Sequence, residues 1–287
     1  MNCPNCKNDE VDLFHNKVWS IDNGKVYQCK KCELIFIHPM MTQEEEKSFY
    51  ENYNKHVKDR GLTIENSTNE FHEKSKIIAS ERISIVNDYF INKKVLEIGS
   101  STGAFLSLIK GCHTFACELA HDNREYSKQF ITGKAYESLE NIQEKDFDIV
   151  CMFHVFEHIR NPISFLKTCT SLLNKDGYLI IEVPHSNDPL ISLYNCEAFK
   201  DFVFQPMHPM VYNEKSLDYV FNQVDLKKVK TIYHQRYGLE NHLSWFKNKK
   251  AGGDLELAKL FSNNLEYRNT LERIKKTDTI FYIAQKK

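Results

Sequence analysis

The chain has 287 residues, which at roughly 150 residues per domain allows two domains or one enlarged domain. Apolar residues make up 41 %, enough for a core, and 38 Lys+Arg against 39 Asp+Glu leave a net charge of −1. That balance argues against a protein that grips nucleic acid mainly by neutralising phosphates, and against a polybasic membrane-surface protein, so neither nucleic acid nor membrane is an expected partner. No apolar run approaches the ~18–20 residues of a membrane helix, and the start MNCPNCKNDE has no basic-then-apolar leader pattern. A cytoplasmic location is expected, with the nine cysteines reduced.

Residues 1–40 hold four of the nine cysteines, show little hydrophobic alternation and read as a small module. Residues 41–90 read as a helical linker or lid. Thr42 caps an acidic first turn, and Tyr50 and Tyr53 sit where a helix would cover a ligand. Further on, Phe71, Ile77, Ile78, Ile83, Ile85, Val86 and Phe90 recur at helical spacing. From 91 to 287 strands and helices alternate. VLEIG reads as a buried strand, GAFLSLIK as a helix, HTFACEL as a strand and HDNREYSKQF as a helix. DIVCMFHV is the next strand, followed by the helix PISFLKTCTSLLN, the turn LNKDG and the strand YLIIEV. Such alternation predicts an α/β fold, a parallel sheet with helices on both faces. Residues 184–213 carry four of the seven prolines and read as an irregular insertion. EKSLDYVFNQ then reads as a helix, VDLKKVKTIYH as a strand, and DTIFYIAQKK as a β segment that would pair antiparallel with it.

Cys3-x-x-Cys6 and Cys29-x-x-Cys32 are two knuckles separated by 22 residues. Four thiolates so paired surround Zn²⁺ tetrahedrally with bonds of about 2.3 Å, and four cysteines leave no open coordination position. A structural zinc ion is expected, supplying folding energy that a forty-residue module cannot draw from burial alone. Cys112, Cys117, Cys151, Cys169 and Cys196 lie mostly in apolar segments and are expected in the core.

In VLEIGSSTGAFL a strand runs into Gly99-Ser-Ser-Thr-Gly103 and then a helix, which puts a tight turn at a helix N-terminus, where free amides attract anions. A dinucleotide site wants G-x-G-x-x-G, but Ser101 and Ala104 stand at the second and third glycine positions, and no Gly-Lys-Ser/Thr follows for a nucleotide triphosphate loop. Glu97 beside the loop suits a cation, and Glu118, 21 residues later at the end of the next strand, suits the hydroxyls of a ribose. These residues resemble the nucleotide-binding loop of class I S-adenosyl-L-methionine (SAM) methyltransferases over roughly residues 90–285. The resemblance implies a Rossmann-like, mostly parallel seven-stranded sheet with SAM as cofactor. It assigns Glu97, Gly99, Ser100, Ser101 and Gly103 to the methionine part and Glu118 to the ribose. Ser101 replaces the middle glycine of that family's loop.

DIVCMFHVFEHIRNP is similar to the strand-end segment of small-molecule methyltransferases, including quinone-pathway and sugar enzymes. Met152 and Phe153 then face the cofactor, and Glu157-His158 lie in the crevice beyond the strand ends. The stretch from Met207-His208 to Ser216-Leu217 resembles the acceptor-site segment of bacterial sugar C-methyltransferases, which also carry an N-terminal zinc module. By that resemblance His208 is the active-site histidine, acting as base or acceptor-orienting group with His158 behind it. Met207 and Gln205 stand where that family has an acidic residue and a catalytic tyrosine. QRYGLENHLSWFKNKKAGG is similar to surface-carbohydrate methyltransferases, and His242 within it is a further acceptor candidate, ahead of His154 and His185.

The expected activity is SAM-dependent methylation of a polar small molecule, a nucleotide-linked or surface-glycan sugar, at oxygen, nitrogen or carbon. One competing class is a zinc-ribbon rRNA or tRNA base methyltransferase; five Lys against five Asp+Glu in residues 1–40 leave that module neutral, where RNA needs a positive surface. The other is a non-enzymatic zinc-containing binding protein, against which Glu97, Gly99, Gly103 and Glu118 all speak.

Overall fold

The computed structural model describes residues 1–42, 44–45, 48, 59–60 and 67–287. Tyr50 and Tyr53 lie outside the described residues. Thr42 does cap: its Oγ1 accepts from the Glu45 amide at 3.2 Å while the Glu45 carboxylate accepts from the Thr42 amide at 2.7 Å, a reciprocal box.

Seven strands form the main sheet in the order β10-β11-β8-β7-β4-β5-β6. They are β4 (Lys94–Ile98), β5 (His113–Cys117), β6 (Ala135–Tyr136), β7 (Phe147–Phe153), β8 (Leu173–Pro184), β10 (Leu226–His234) and β11 (Thr279–Lys286). The first five in chain order are parallel; β11 runs antiparallel to both β8 and β10. The expected mostly parallel α/β sheet is therefore present. Alternate residues feed two apolar layers. Leu96, Ile98, Val150, Met152, Ile181 and Tyr282 lie in one, with Val95, Ile149, Cys151, Phe153, Ile180 and Phe281 in the other. Cys112, Cys117, Cys151, Cys169 and Cys196 are all buried free thiols.

A second sheet joins β1 (Val11–His15), β2 (Lys25–Cys29) and β3 (Ile35–His38) to β9 (Met210–Val211), in that order. β9 comes from the proline-rich insertion. It pairs antiparallel with β3, Ile35 opposite Val211 and Phe36 opposite Met210. The cysteine module thus shares one sheet with the insertion, and Cys3, Cys29 and Cys32 sit in the same apolar layer as Leu96 and Met152. Short helices Pro189–Ser192 and Glu197–Val203 occupy the rest of the insertion.

Three departures from the sequence reading have local causes. The helix Thr68–Val86, capped by Ser67, buries His72, Ala79 and Val86 and exposes Phe71, Ile77 and Ile78 by 40, 73 and 46 %. Polar anchors fix its rotation: His72 Nδ1 lies 3.1 Å from Thr102 Oγ1, and Arg82 Nε donates to Glu182 at 2.5 Å. Residues 104–110, read as a helix, are turns. One amide, Ser107, reaches back to Gly103 at 2.9 Å; Leu108 reaches only Phe105, and the Ser107 hydroxyl takes the Ala104 carbonyl, competing with a helical ladder. The LNKDG turn is absorbed into the start of β8, where the pairing with β7 shifts register.

Glu182 is 1 % exposed, so its pairing with Arg82 is a buried ion pair. Arg82→Met is expected to lower the unfolding free energy by about 3 kcal/mol, the low end for a broken buried pair because His154 still faces the carboxylate. A urea midpoint unchanged from the parent would show that the pair contributes nothing.

Candidate active site

The sheet order reverses direction at β4, whose neighbours β5 and β7 lead away on opposite sides. Ligands of such sheets bind in the crevice beyond the strand ends at this point. Three turns meet there. After β4 comes the Gly99–Gly103 turn. Gly99 has φ +70° and its amide donates to the Cys117 carbonyl at 2.8 Å, tying the turn to β5. Glu118, just past β5, is clamped by two backbone amides, Ser101 at 2.8 Å and Ala120 at 2.8 Å. Its carboxylate is thus held at the loop before any ligand arrives. Glu97, 4 % exposed, has an Oε2 atom with no hydrogen-bond partner among the described residues, and the same holds for the Ser100 hydroxyl. Burial raises the Glu97 carboxyl to about 8, with the Arg82 charge opposing and the Glu118 charge adding. A buried acid with a free oxygen beside a carboxylate is a receptor for a cationic, hydrogen-bonding group.

Gly99 admits no side chain. A Cβ there would lie 2.4 Å from Val155 Cγ2, in a backbone region that L-residues avoid. Gly99→Ala is expected to cost about 1–3 kcal/mol from strain alone, read as a lower urea midpoint. Stability equal to the parent would show that the loop relaxes at no cost.

The third turn follows β7. Met152 and Phe153 end that strand and are buried on its two faces, Phe153 against Phe105 with ring centroids 4.6 Å apart. His154 turns the chain with φ +56° and lies between two buried carboxylates. Its Nδ1 is 3.2 Å from Glu157 Oε1, and its Nε2 is 3.4 Å from Glu182 Oε1 and 3.2 Å from Arg236 Nη1. Burial opposes charge on this ring, but Glu182 and Glu157 outweigh it and raise its pKa. Both carboxyls are held near 2: burial works against them, and His154, joined by His158 and His208 at Glu157 and by Arg82 and Arg236 at Glu182, more than compensates.

His158 and His208 come together across the crevice, one from the β7 turn and one from the residues just before β9. Their ring centroids are 4.8 Å apart at 84°. Gln205 reaches His208 Nδ1 at 3.3 Å. Desolvation, then the neighbouring His158, pushes His208 down to about 3, so it is neutral at physiological pH. Glu157 Oε2, His158 Nδ1 and Gln205 Oε1 are buried with no partner among the described residues. His242 and His185 are otherwise engaged, with Tyr267 and with Thr277. Sequence reasoning missed Arg82 and Glu182 and ranked His154 low; nothing in the local pattern marks an arginine a hundred residues upstream as the partner of a strand-end glutamate.

The four N-terminal sulfurs also converge. Cys3 and Cys32 Sγ are 3.5 Å apart, Cys6 and Cys29 Sγ 3.4 Å, and all four lie within 4.8 Å of one another. Zn–S bonds of about 2.3 Å put tetrahedral sulfurs roughly 3.8 Å apart, so the quartet needs only a small adjustment to fit the ion. The hydrogen bond between Cys3 and Cys32 lowers the Cys3 thiol and raises that of Cys32.

Residues 71–231 match the family model described as "Methyltransferase domain". Among solved structures, a SAM-dependent methyltransferase of Archaeoglobus fulgidus is similar, with 19 % identity over 82 % of this chain and 99 % of that one and a TM-score of 0.52. Another, from Thermotoga maritima and named as a possible histamine N-methyltransferase, shows 14 % identity over 84 % and 97 % of the chains, with a TM-score of 0.50. No curated protein sequence matches. No described helix is long and apolar enough to cross a membrane.

Proposed function

On the premise that the chain belongs to the methyltransferase domain family and is a SAM-dependent methyltransferase, we propose that it methylates a polar small molecule, a sugar, in the crevice between the Gly99 loop and His208. One observation carries this reading. Buried polar atoms left without a described partner gather in two groups at the crevice, Glu97 and Ser100 on one side, Glu157, His158 and Gln205 on the other, with His72 Nε2 and His185 Nε2 unpartnered near its edges. The first group suits the ammonium and carboxylate of SAM, with Gly99, Ser101 and Gly103 shaping the turn, Glu118 taking the ribose hydroxyls, and Met152 and Phe153 backing the site. The second suits the hydroxyls of an acceptor.

SAM supplies an activated methyl group. The protein has to hold the acceptor's nucleophilic atom in line with it, exclude water and take up the proton that the acceptor loses, for which His208 is the base. His158 and His208 orient that atom. The neutral His208 imidazole accepts a hydrogen bond, which fits a hydroxyl donor. Cys3, Cys6, Cys29 and Cys32 hold a structural zinc ion. The likeness of residues 207–217 to sugar enzymes supports the substrate class, and the neutral module gives no support to RNA. The test is turnover with a panel of nucleotide-linked sugars. The double variant His158→Gln/His208→Gln is expected to lose at least 100-fold in kcat while still binding S-adenosylhomocysteine. An unchanged turnover number would remove both histidines from the mechanism.

A further inference from the structure

The acceptor side of the crevice carries more ligating power than a hydroxyl requires. Glu157, His158 and His208 each present one ligand atom, and the three atoms lie within 4.8 Å of one another. Glu157 is 0 % exposed. Its Oε1 faces His154 at 3.2 Å, but its Oε2 has no partner among the described residues. His158 Nδ1 is likewise buried without one. A buried carboxylate oxygen with an unpartnered lone pair is costly unless a donor or a cation meets it.

We propose that Glu157, His158 and His208 form a second metal site, distinct from the cysteine quartet, that holds a divalent first-row transition ion and presents it to the acceptor. Two imidazoles and one carboxylate form a borderline-hard donor set that suits such ions, whereas the four thiolates select zinc. Three protein ligands leave coordination positions open, as sites that bind substrate do. The support around the ligands is also of the right kind. His154 holds the second Glu157 oxygen, and the Gln205 side chain sits at His208 Nδ1. With that amide turned so that Oε1 accepts from Nδ1–H, Nε2 presents its lone pair to the ion; this is how a ligating histidine is usually fixed. The chain arranges the three residues from separate places: Glu157 and His158 from the turn after β7, His208 from the insertion immediately before β9.

The inference deepens the proposed function, because it specifies an acceptor with an oxygen that binds the ion, and a vicinal hydroxyl would fill a second open position. The role of the histidines is then to place the acceptor through the ion.

The experiment uses the full chain isolated with zinc in its cysteine quartet. Cobalt(II) is titrated in and followed by the visible spectrum and by metal content after gel filtration. One further equivalent per chain is expected, with ligand-field bands but without the thiolate charge-transfer band that cobalt in the quartet would give. Glu157→Gln is expected to weaken this uptake at least tenfold, and His208→Gln, which leaves the β7 turn intact, to do the same. Absence of a saturable second equivalent, or uptake by both variants equal to the parent, overturns the site. S-adenosylhomocysteine binding is measured calorimetrically on the same samples. Retained binding without cobalt uptake removes only the ion; cobalt uptake without heat from S-adenosylhomocysteine removes the methyl-transfer reading and leaves the metal site standing.

Discussion

At pH 7 the binding of S-adenosylhomocysteine is expected to release about one proton per chain, and Glu97 is its source. The carboxyl is buried and raised to about 8, so in the free protein it is mostly protonated at neutrality. The ligand's ammonium favours the carboxylate, lowers its pKa and expels the proton. Affinity should therefore rise as the pH goes from 6 towards 8. Above about 8 the gain levels off. Glu97 is then already ionised, and the sign turns only where the ligand's amino group, more basic than a peptide N-terminus because a carboxylate neighbours it, begins to lose its own proton. The same shift makes Glu97 a pH-dependent term in the stability of the free protein. An acid whose folded pKa is raised stabilises the fold while protonated, and that contribution falls as the pH rises from near 4.5 to about 8. Calorimetry in buffers of different ionisation enthalpy measures the proton count directly. Glu97→Gln keeps the shape but removes the charge; it should abolish the release and weaken binding by about 100-fold, the value of a charge-assisted hydrogen bond of up to ~3 kcal/mol. Heats at pH 7 that do not depend on the buffer would show that Glu97 binds the ligand without changing protonation.

Loss of the cysteine quartet should have the second large effect. Replacing Cys29 and Cys32 by serine, or stripping the metal with a chelator, is expected to lower the unfolding free energy on the order of 5 kcal/mol. That is a fraction of the ~10–16 kcal/mol with which isolated zinc-finger peptides bind their ion. Here the hairpin is also held by other contacts. β9 pairs with β3, Asn5 donates to the Ser216 carbonyl at 3.4 Å, and Glu33 meets Lys215 at 2.8 Å and Asn213 at 3.1 Å. Those contacts make the damage specific. The residues lost with the module flank His208 and not the Gly99 loop, so acceptor turnover should fall further than S-adenosylhomocysteine affinity. Metal content by atomic emission, set beside urea unfolding, checks this. Metal-free protein that unfolds at the parent midpoint would reduce the quartet to four packed thiols.

The strands of the main sheet were legible because buried parallel strands leave continuous apolar runs, and VLEIG, DIVCMF and YLIIEV could hardly be anything else. Spacing made the cysteine pairs legible, and the loop was identified by two glycines and two acids in register with strand ends. Longer-range features were not legible. The buried face of the Thr68–Val86 helix is chosen by His72 and Arg82, whose partners Thr102 and Glu182 are 30 and 100 residues away. The helices Leu239–Asn248, Leu255–Leu260 and Leu265–Arg273 are short, and the last two bury almost nothing, so little periodicity betrays them. The meeting of His158 with His208 was suggested by resemblance and could not be derived from spacing, since it depends on a two-residue strand, β9, that no pattern announces.

That two-residue strand ties the cysteine hairpin to a stretch translated some 170 residues later. During synthesis the N-terminal hairpin emerges with one edge bare and must wait for the rest of the chain to cover it, a non-local closure of the slow kind. For the same reason the first forty residues are not a removable tag. An excised catalytic half would leave Met210 and Val211 as an unpaired edge and uncover the apolar layer beneath the cysteines, inviting self-association.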